Sequence, residues 1–331
     1  MRGLHRKGTT MPSAIVVTEP GGPDVLTLAT VDRPEPGPGQ LLVKVAAAGV
    51  NFIETYQRSG AYAVEHPFTP GAEAAGTVEA IGGEVDGFGP GDRVAFAEGR
   101  GTYAEYAVVD ADRALPVPEG VDLETAAALP LQGMTAHYLI NSTFPVQPDH
   151  TVLVHAGAGG VGLLVIQLLK AKGARVITTV STAEKEELAR GAGADEVLRY
   201  EGFADAVKTS TDGTGVDVVY DGVGRATFDD SLRSLRIRGT LVLYGAASGP
   251  VPPLELQRLN SGGSLFVTRP TLVHYLLSPE ERRWRSEELF GAVVAGQLDV
   301  RIGARYALAD AAQAHEDLQA RRTTGKVLLI P

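Results

Sequence analysis

The segment Thr151–Lys185, TVLVHAGAGGVGLLVIQLLKAKGARVITTVSTAEK, constrains this chain more than any other stretch. A β-branched run, a glycine-rich turn, an apolar run of helical length and a second β-branched run follow at the spacing of a βαβ unit. The turn Gly157-Ala158-Gly159-Gly160-Val161-Gly162 satisfies G-x-G-x-x-G. In that pattern one glycine permits a tight turn, a second lets the backbone approach a pyrophosphate, and a third brings helix and strand together. The start of the helix, Val161 included, then presents unpaired N–H groups to phosphates. A merely tight βα turn would use the same glycines, but the ordered strand, turn, helix and strand favour a dinucleotide site.

The end of the second strand refines this. An NAD site usually carries Asp or Glu there, about 20 residues on, to hold the ribose hydroxyls. This chain has Val180-Ser181-Thr182, with Lys185 three residues later. An acid would repel a 2′-phosphate, whereas hydroxyls and an ammonium attract one. Ser181 and Lys185 therefore point to NADPH. Lys185 also sits among Glu184, Glu186 and Glu187, as an ordinary solvated lysine would. Tyr200, at the end of a third strand, either reaches the same phosphate or packs as a sheet-end aromatic.

From Thr151 onward strands and helices alternate, which predicts a parallel sheet covered on both faces. Strands are expected at Thr151–His155, Arg175–Val180, Glu196–Leu198, Val216–Tyr220, Thr240–Tyr244 and Ser264–Thr268. Before Thr151 the pattern is short strands with Gly/Pro turns (Ser13–Thr18, Gln40–Ala47, Gly76–Ile81, Asp92–Phe96, Tyr103–Val109), then helices at Leu123–Leu129 and Gln132–Phe144. After Pro270 a helix near Pro279–Ala295, a helix Ala309–Ala320 and strands Arg301–Tyr306 and Lys326–Ile330 complete the chain. The expected architecture is an α/β cofactor unit inserted into a β-rich unit.

The chain has 331 residues, no cysteine and a net charge of −10. Thiolate-ligated metal and disulfides are excluded, and nucleic acid is not an expected partner for dispersed basic residues in an acidic chain. No apolar run reaches the length of a membrane span, so no membrane partner is expected. Met1–Thr10 is basic without an apolar stretch, and Met11 is a plausible start. His155 falls on the first strand of the cofactor unit, where packing or hydrogen bonding explains it better than catalysis. Asn51, Glu54 and Tyr56 follow a strand in a polar-aromatic stretch, with Asn51 suited to cap a helix.

With these residues in place, the chain resembles the zinc-free NADPH:quinone oxidoreductase branch of the medium-chain dehydrogenase/reductase superfamily, to which zeta-crystallin belongs. The likeness rests on AGVNFIETYQRSGAY (Ala48–Tyr62), PGAEAAGTVEAIG (Pro70–Gly82), GDRVAF (Gly91–Phe96), LQGMTAHYL (Leu131–Leu139), VLVHAGAGGVG (Val152–Gly162), YDGVG (Tyr220–Gly224), FVTRP (Phe266–Pro270) and RRTTGKVLLIP (Arg321–Pro331). The resemblance implies an α/β fold, a Rossmann doubly wound parallel sheet inserted into a β-rich GroES-like catalytic domain. Residues 11–130 would form the catalytic domain, 131–270 the NADPH domain and 271–331 the remainder of the catalytic domain. Residues 1–10 would be an extension or tag outside the fold. Zinc-dependent relatives place Cys and His where this chain has Asn51 and Ala72, beside Glu73, and a third ligand near Leu131, so no metal is expected.

The resemblance further assigns Asn51 and Tyr56 to substrate orientation in the active cleft. It puts Thr135 and Tyr138 near the nicotinamide, and Ser181, Lys185, Tyr200 and Arg321 around the 2′-phosphate. Tyr244 and Arg269 would line the nicotinamide and pyrophosphate channel. Two departures stand out: Gly157, where the branch commonly has Ala or Ser, and Gly222, often serine, which removes a ribose contact. The implied activity is transfer of hydride, or of single electrons, from NADPH to a quinone. The alternatives are an NADPH-dependent enone or alkenal reductase, and a cofactor-bound non-catalytic protein of the zeta-crystallin type. A cytoplasmic homodimer paired through the edge near Ser264–Thr268 is the implied assembly.

Overall fold

The computed structural model describes residues 11–331, and the expected extension Met1–Thr10 lies outside them. Strands β1 (Ser13–Val16) and β2 (Thr27–Thr30) form a small antiparallel ribbon. They are followed by β3 (Gln40–Val50), helix α1 (Phe52–Arg58), β4 (Ala74–Ile81), β5 (Arg93–Phe96), β6 (Tyr106–Asp110) and β7 (Leu115–Pro116). Helices α2 (Leu123–Ala128) and α3 (Pro130–Tyr138) then lead across, and α3 ends in a wider turn, Leu139–Thr143.

The second unit runs β8 (Thr151–Val154), α4 (Gly160–Ala171), β9 (Arg175–Thr179), α5 (Ala183–Gly191), β10 (Glu196–Leu198), α6 (Phe203–Ser210), β11 (Val216–Asp221), α7 (Phe228–Ser234), β12 (Leu235–Leu243), α8 (Gln257–Ser261) and β13 (Phe266–Thr268). Its strands pair in the order β10-β9-β8-β11-β12-β13, all parallel. The chain therefore winds outward from β8 in one direction and, from β11, in the other. At such a reversal the loops after adjacent strands part and leave a crevice. Apolar runs such as Val152-Leu153-Val154 are wholly buried, as strands covered on both faces require.

The last segment contributes α9 (Pro279–Val294), β14 (Ile302–Ala307), α10 (Ala311–Gln319) and β15 (Lys326–Ile330). These strands return to the first unit, where the sheet order is β14-β15-β3-β4-β5-β7, with β6 on β3. The core of this unit gathers Leu41, Val43, Phe96 and Tyr103 with Val327 and Leu329. Sequence reading missed β2 and β7, and placed β12 five residues late at its start. The extra β12 residues bend through Arg238, whose φ of 59° marks an irregular turn that periodicity does not register.

Candidate active site

A cleft of about 1110 Å³ lies between the two sheets. Its cofactor side is made by the residues just beyond the strand ends of β8, β9, β11 and β12. Among the residues expected at the cofactor, Thr135, Tyr138, Gly159, Gly160, Val161, Gly162, Ser181, Lys185, Tyr200, Gly222, Tyr244, Arg269 and Arg321 all line it, whereas Gly157 lies beneath the surface. Asn51 and Tyr56 line the opposite side.

The glycine turn works by closeness. The left-handed residue is Ala156, with φ 55°, and none of the four motif glycines has a positive φ. A Cβ on Gly160 would strike the Gln132 amide, one on Gly162 the Ala156 carbonyl, and one on Gly157 the Thr178 side chain. Gly159 caps α4 in an extended conformation with no side-chain cap. The first N–H groups of α4, from Gly160 to Gly162, lack intrahelical acceptors and border the cleft, which is the arrangement that receives a pyrophosphate.

Thr182 caps α5, its hydroxyl accepting from the Lys185 N–H at 3.3 Å, and this sets Lys185 in the first turn. The Lys185 ammonium donates to the Arg321 carbonyl at 2.6 Å. Partial burial and then the Arg321 guanidinium push the Lys185 pKa down. Two cations held together, with Ser181 and the Tyr200 hydroxyl alongside, form a site that a phosphate dianion would relieve. The donor set and the bare helix start thus fit NADPH.

Nearer the middle, Tyr244 follows β12 and its ring lies against Gly222, where a Cβ would meet the ring and hydroxyl. The serine common in relatives could not share this space without moving Tyr244. The Tyr138 ring stacks on Tyr275 with centroids 4.3 Å apart and planes 8° from parallel. Arg269 donates to the Leu243 carbonyl at 3.0 Å, which fixes it beside Tyr244.

The floor of the acceptor side is a buried polar cluster. Asn51 caps α1, and the Glu54 carboxyl accepts from the Asn51 backbone N–H at 2.6 Å. The Asn51 amide donates to Glu73 at 3.0 Å and accepts from the Lys326 ammonium at 2.7 Å. Lys326 also forms an ion pair with Glu73, whose other oxygen accepts from the Leu131 N–H at 2.7 Å. The Asn51 side chain is therefore spent on the cluster and has no strong donor left for a substrate. A lysine ammonium, 1% exposed, sits among the positions that hold zinc ligands in zinc-dependent relatives, and its charge opposes a metal cation. Burial, partly offset by Lys326, pushes the Glu54 carboxyl up to about 8.

Tyr56 extends from α1 towards the backbone of Ala246 and the Arg269 guanidinium, across the cleft. Burial raises its pKa despite those two neighbours, so the phenol keeps its proton. Its ring lies 5.2 Å from that of Tyr62 and 6.2 Å from that of Phe52, and Val64, Phe68, Leu272 and Val273 continue an apolar wall. Sequence reasoning did not single out Gln132 or Lys326. A lysine opening a C-terminal strand carries no signal of burial, since its partners lie far away in sequence.

Two family models match: the alcohol dehydrogenase GroES-like domain over residues 37–119 and the zinc-binding dehydrogenase over 160–286. Among curated proteins, the chain is 47% identical to a quinone oxidoreductase of Pseudomonas aeruginosa, covering 94% of this chain and 97% of that one. It resembles a mycobacterial protein solved in complex with NADPH (53% identity, 96% of this chain, 100% of that one, TM-score 0.95). The Escherichia coli quinone oxidoreductase complexed with NADPH is equally close in shape, at 42% identity over 96% of this chain and 100% of that one, with TM-score 0.95.

Proposed function

The chain belongs to the zinc-free quinone oxidoreductase branch of the medium-chain dehydrogenases/reductases, and from that premise we infer that it reduces a quinone with NADPH in the cleft between its two sheets. The observation that carries this reading is the pairing of Lys185 with Arg321 beside Ser181 and Tyr200, at one end of a cleft whose other end is walled by aromatic rings. NADPH bound along that cleft supplies a hydride from its nicotinamide. The N–H groups at the start of α4 would hold the pyrophosphate, and Tyr244, Thr135 and Tyr138, which line the same cleft, would bound the nicotinamide end.

Tyr56, kept protonated, donates a hydrogen bond to the acceptor oxygen on which negative charge develops. Asn51 acts here by fixing the floor and the start of α1, with its amide committed to Glu73 and Lys326. The apolar walls exclude water and orient a flat conjugated ring. The same proposal takes residues 11–130, 131–270 and 271–331 as the functional units. It places the protein in the cytoplasm, with no membrane or nucleic-acid partner. Among the described residues no helix is long and apolar enough to cross a membrane. The exposed edge of β13 supports pairing with a second copy, Phe266 being 60% exposed.

Steady-state rates with NADPH and 1,2- or 1,4-quinones should exceed those with enones and alkenals of similar size; faster enone turnover would replace the reading. Lys185→Ala should weaken NADPH about 10-fold or more, as loss of a charge-assisted phosphate contact does, and leave NADH nearly unchanged. Equal losses for both cofactors would remove Lys185 from the phosphate site.

A further inference from the structure

Of the residues at the 2′-phosphate corner, Ser181, Lys185 and Tyr200 belong to the cofactor sheet and its helices, whereas Arg321 arrives from the last turn of α10. That helix ends in a two-bond closure. The Arg321 N–H donates to the Leu318 carbonyl at 3.1 Å, and the Arg322 N–H donates to the Asp317 carbonyl at 2.9 Å. Such a closure needs a left-handed residue just past the helix, and glycine is usual there. Here the residue is Arg321, with φ 59°. The closure is braced by side chains. Arg322 Nε donates to Asp317 Oδ1 at 2.7 Å, and the Gln313 amide donates to the same oxygen at 3.0 Å. The Tyr306 hydroxyl on β14 donates to Asp317 Oδ2. Four residues on, the Gly325 N–H donates to the Ala158 carbonyl at 3.0 Å, inside the glycine turn of the cofactor unit. The strap Arg321–Gly325 is thus pinned at both ends, and Arg321, Thr323 and Gly325 line the cleft.

A residue with a Cβ is disfavoured in the left-handed region and persists there when its surroundings over-determine it. The Asp317–Arg322 pair does this, because it ties the residue after Arg321 to the residue four before it. The left-handed turn in its place directs the Arg321 carbonyl at the Lys185 ammonium, 2.6 Å away. An ammonium has three hydrogens, so this bond fixes Lys185 and leaves two for a phosphate. One backbone conformation therefore sets two cations of the corner, Lys185 through a carbonyl and Arg321 through its own side chain. Asp317 and Arg322 act on that corner from outside the cleft, since neither lines it.

We propose that Asp317 and Arg322 are positioning residues that hold Arg321 in its left-handed turn and so support the preference for NADPH over NADH. The proposal rests on the cofactor reading given above. It distinguishes Arg322 from Arg321: neighbours of the same charge, one bound to the helix and the other to the phosphate.

The test is the dissociation constant of each cofactor, measured by titration calorimetry on the full chain. Asp317→Ala should weaken NADPH about 3- to 10-fold, the worth of one hydrogen bond to a charged group, and leave NADH nearly unchanged. Arg322→Ala removes the other half of the pair from an exposed position and should give the same split, which keeps the proposal testable if the Asp317 variant fails to fold. The double variant should lose no more than either single one, because both act through one contact. In an Arg321→Ala background, neither Asp317→Ala nor Arg322→Ala should change NADPH affinity further. Tighter NADPH binding by Asp317→Ala would mean that the freed Arg322 reaches the phosphate itself. That result, unchanged affinity, equal losses for both cofactors, or an effect that persists without the Arg321 guanidinium would each overturn the proposal. An unaltered protein with no preference for NADPH would instead overturn the cofactor reading itself.

Discussion

At the residue scale, the acceptor floor is held by charges that water never reaches. Lys326 and Glu73 neutralise each other, and removal of either would strand a buried charge. Glu54 stands apart, with one oxygen on the Asn51 N–H and the other without any partner. Its carboxyl, raised to about 8, is protonated over most of the physiological range. A group whose folded pKa lies above its unfolded value adds stability fully below the unfolded pKa, and that stability is lost as pH rises through the folded one. The native protein should therefore lose stability between about pH 4.5 and about pH 8 through this residue. Glu54→Gln keeps an acceptor for Asn51 and cannot ionise. Its melting temperature should exceed that of the native protein by a few degrees near pH 8.5 and converge with it near pH 5. Parallel melting curves for the two proteins would contradict the assignment.

Among elements, the junction of β8 with α4 shows how a sequence departure is accommodated. The residue commonly Ala or Ser in relatives is Gly157 here, and its missing Cβ is replaced by the Thr178 side chain from the neighbouring strand. Thr178 in turn donates to the Val154 carbonyl at 2.6 Å, closing the turn from the side. Gly157→Ala should cost about 1–3 kcal/mol by overpacking, and Thr178→Ala in the same chain should recover most of it, read by denaturant unfolding. Independent, additive losses would show that the two sites do not share the space. Much at this scale was legible in the sequence: the glycine turn, the Asn51 cap of α1 and the Lys185 corner each rest on residues close together in the chain. The Tyr244 ring over Gly222, the left-handed Ala156 and the hydrogen-bonded chain Asp221–Ser231–His155–Thr179 were not legible, because each depends on partners brought in from other strands. His155 was expected to be packed or hydrogen-bonded, and it is both, but the sequence named none of its partners.

For the whole molecule, the exposed apolar edge is the feature that reaches beyond one chain. Phe266 on β13 and Ile237 on β12 are 60% and 71% exposed on adjacent strands. Sedimentation should show a dimer of the 34.7 kDa chain. Phe266→Lys with Ile237→Lys should yield a monomer that binds NADPH with unchanged affinity; a native monomer would end the pairing proposal. The contact between Lys326 and Asn51 carries a different consequence, in time rather than in space. These residues are 275 positions apart, and β15 must slot beside β3 before the acceptor floor exists. The cofactor sheet, by contrast, draws all its strands from the unbroken run Thr151–Thr268. On a ribosome the nucleotide-holding half is available to fold while the other half still waits for its last strand. A chain that stops a few residues short would keep a place for the cofactor and have nowhere for the hydride to go.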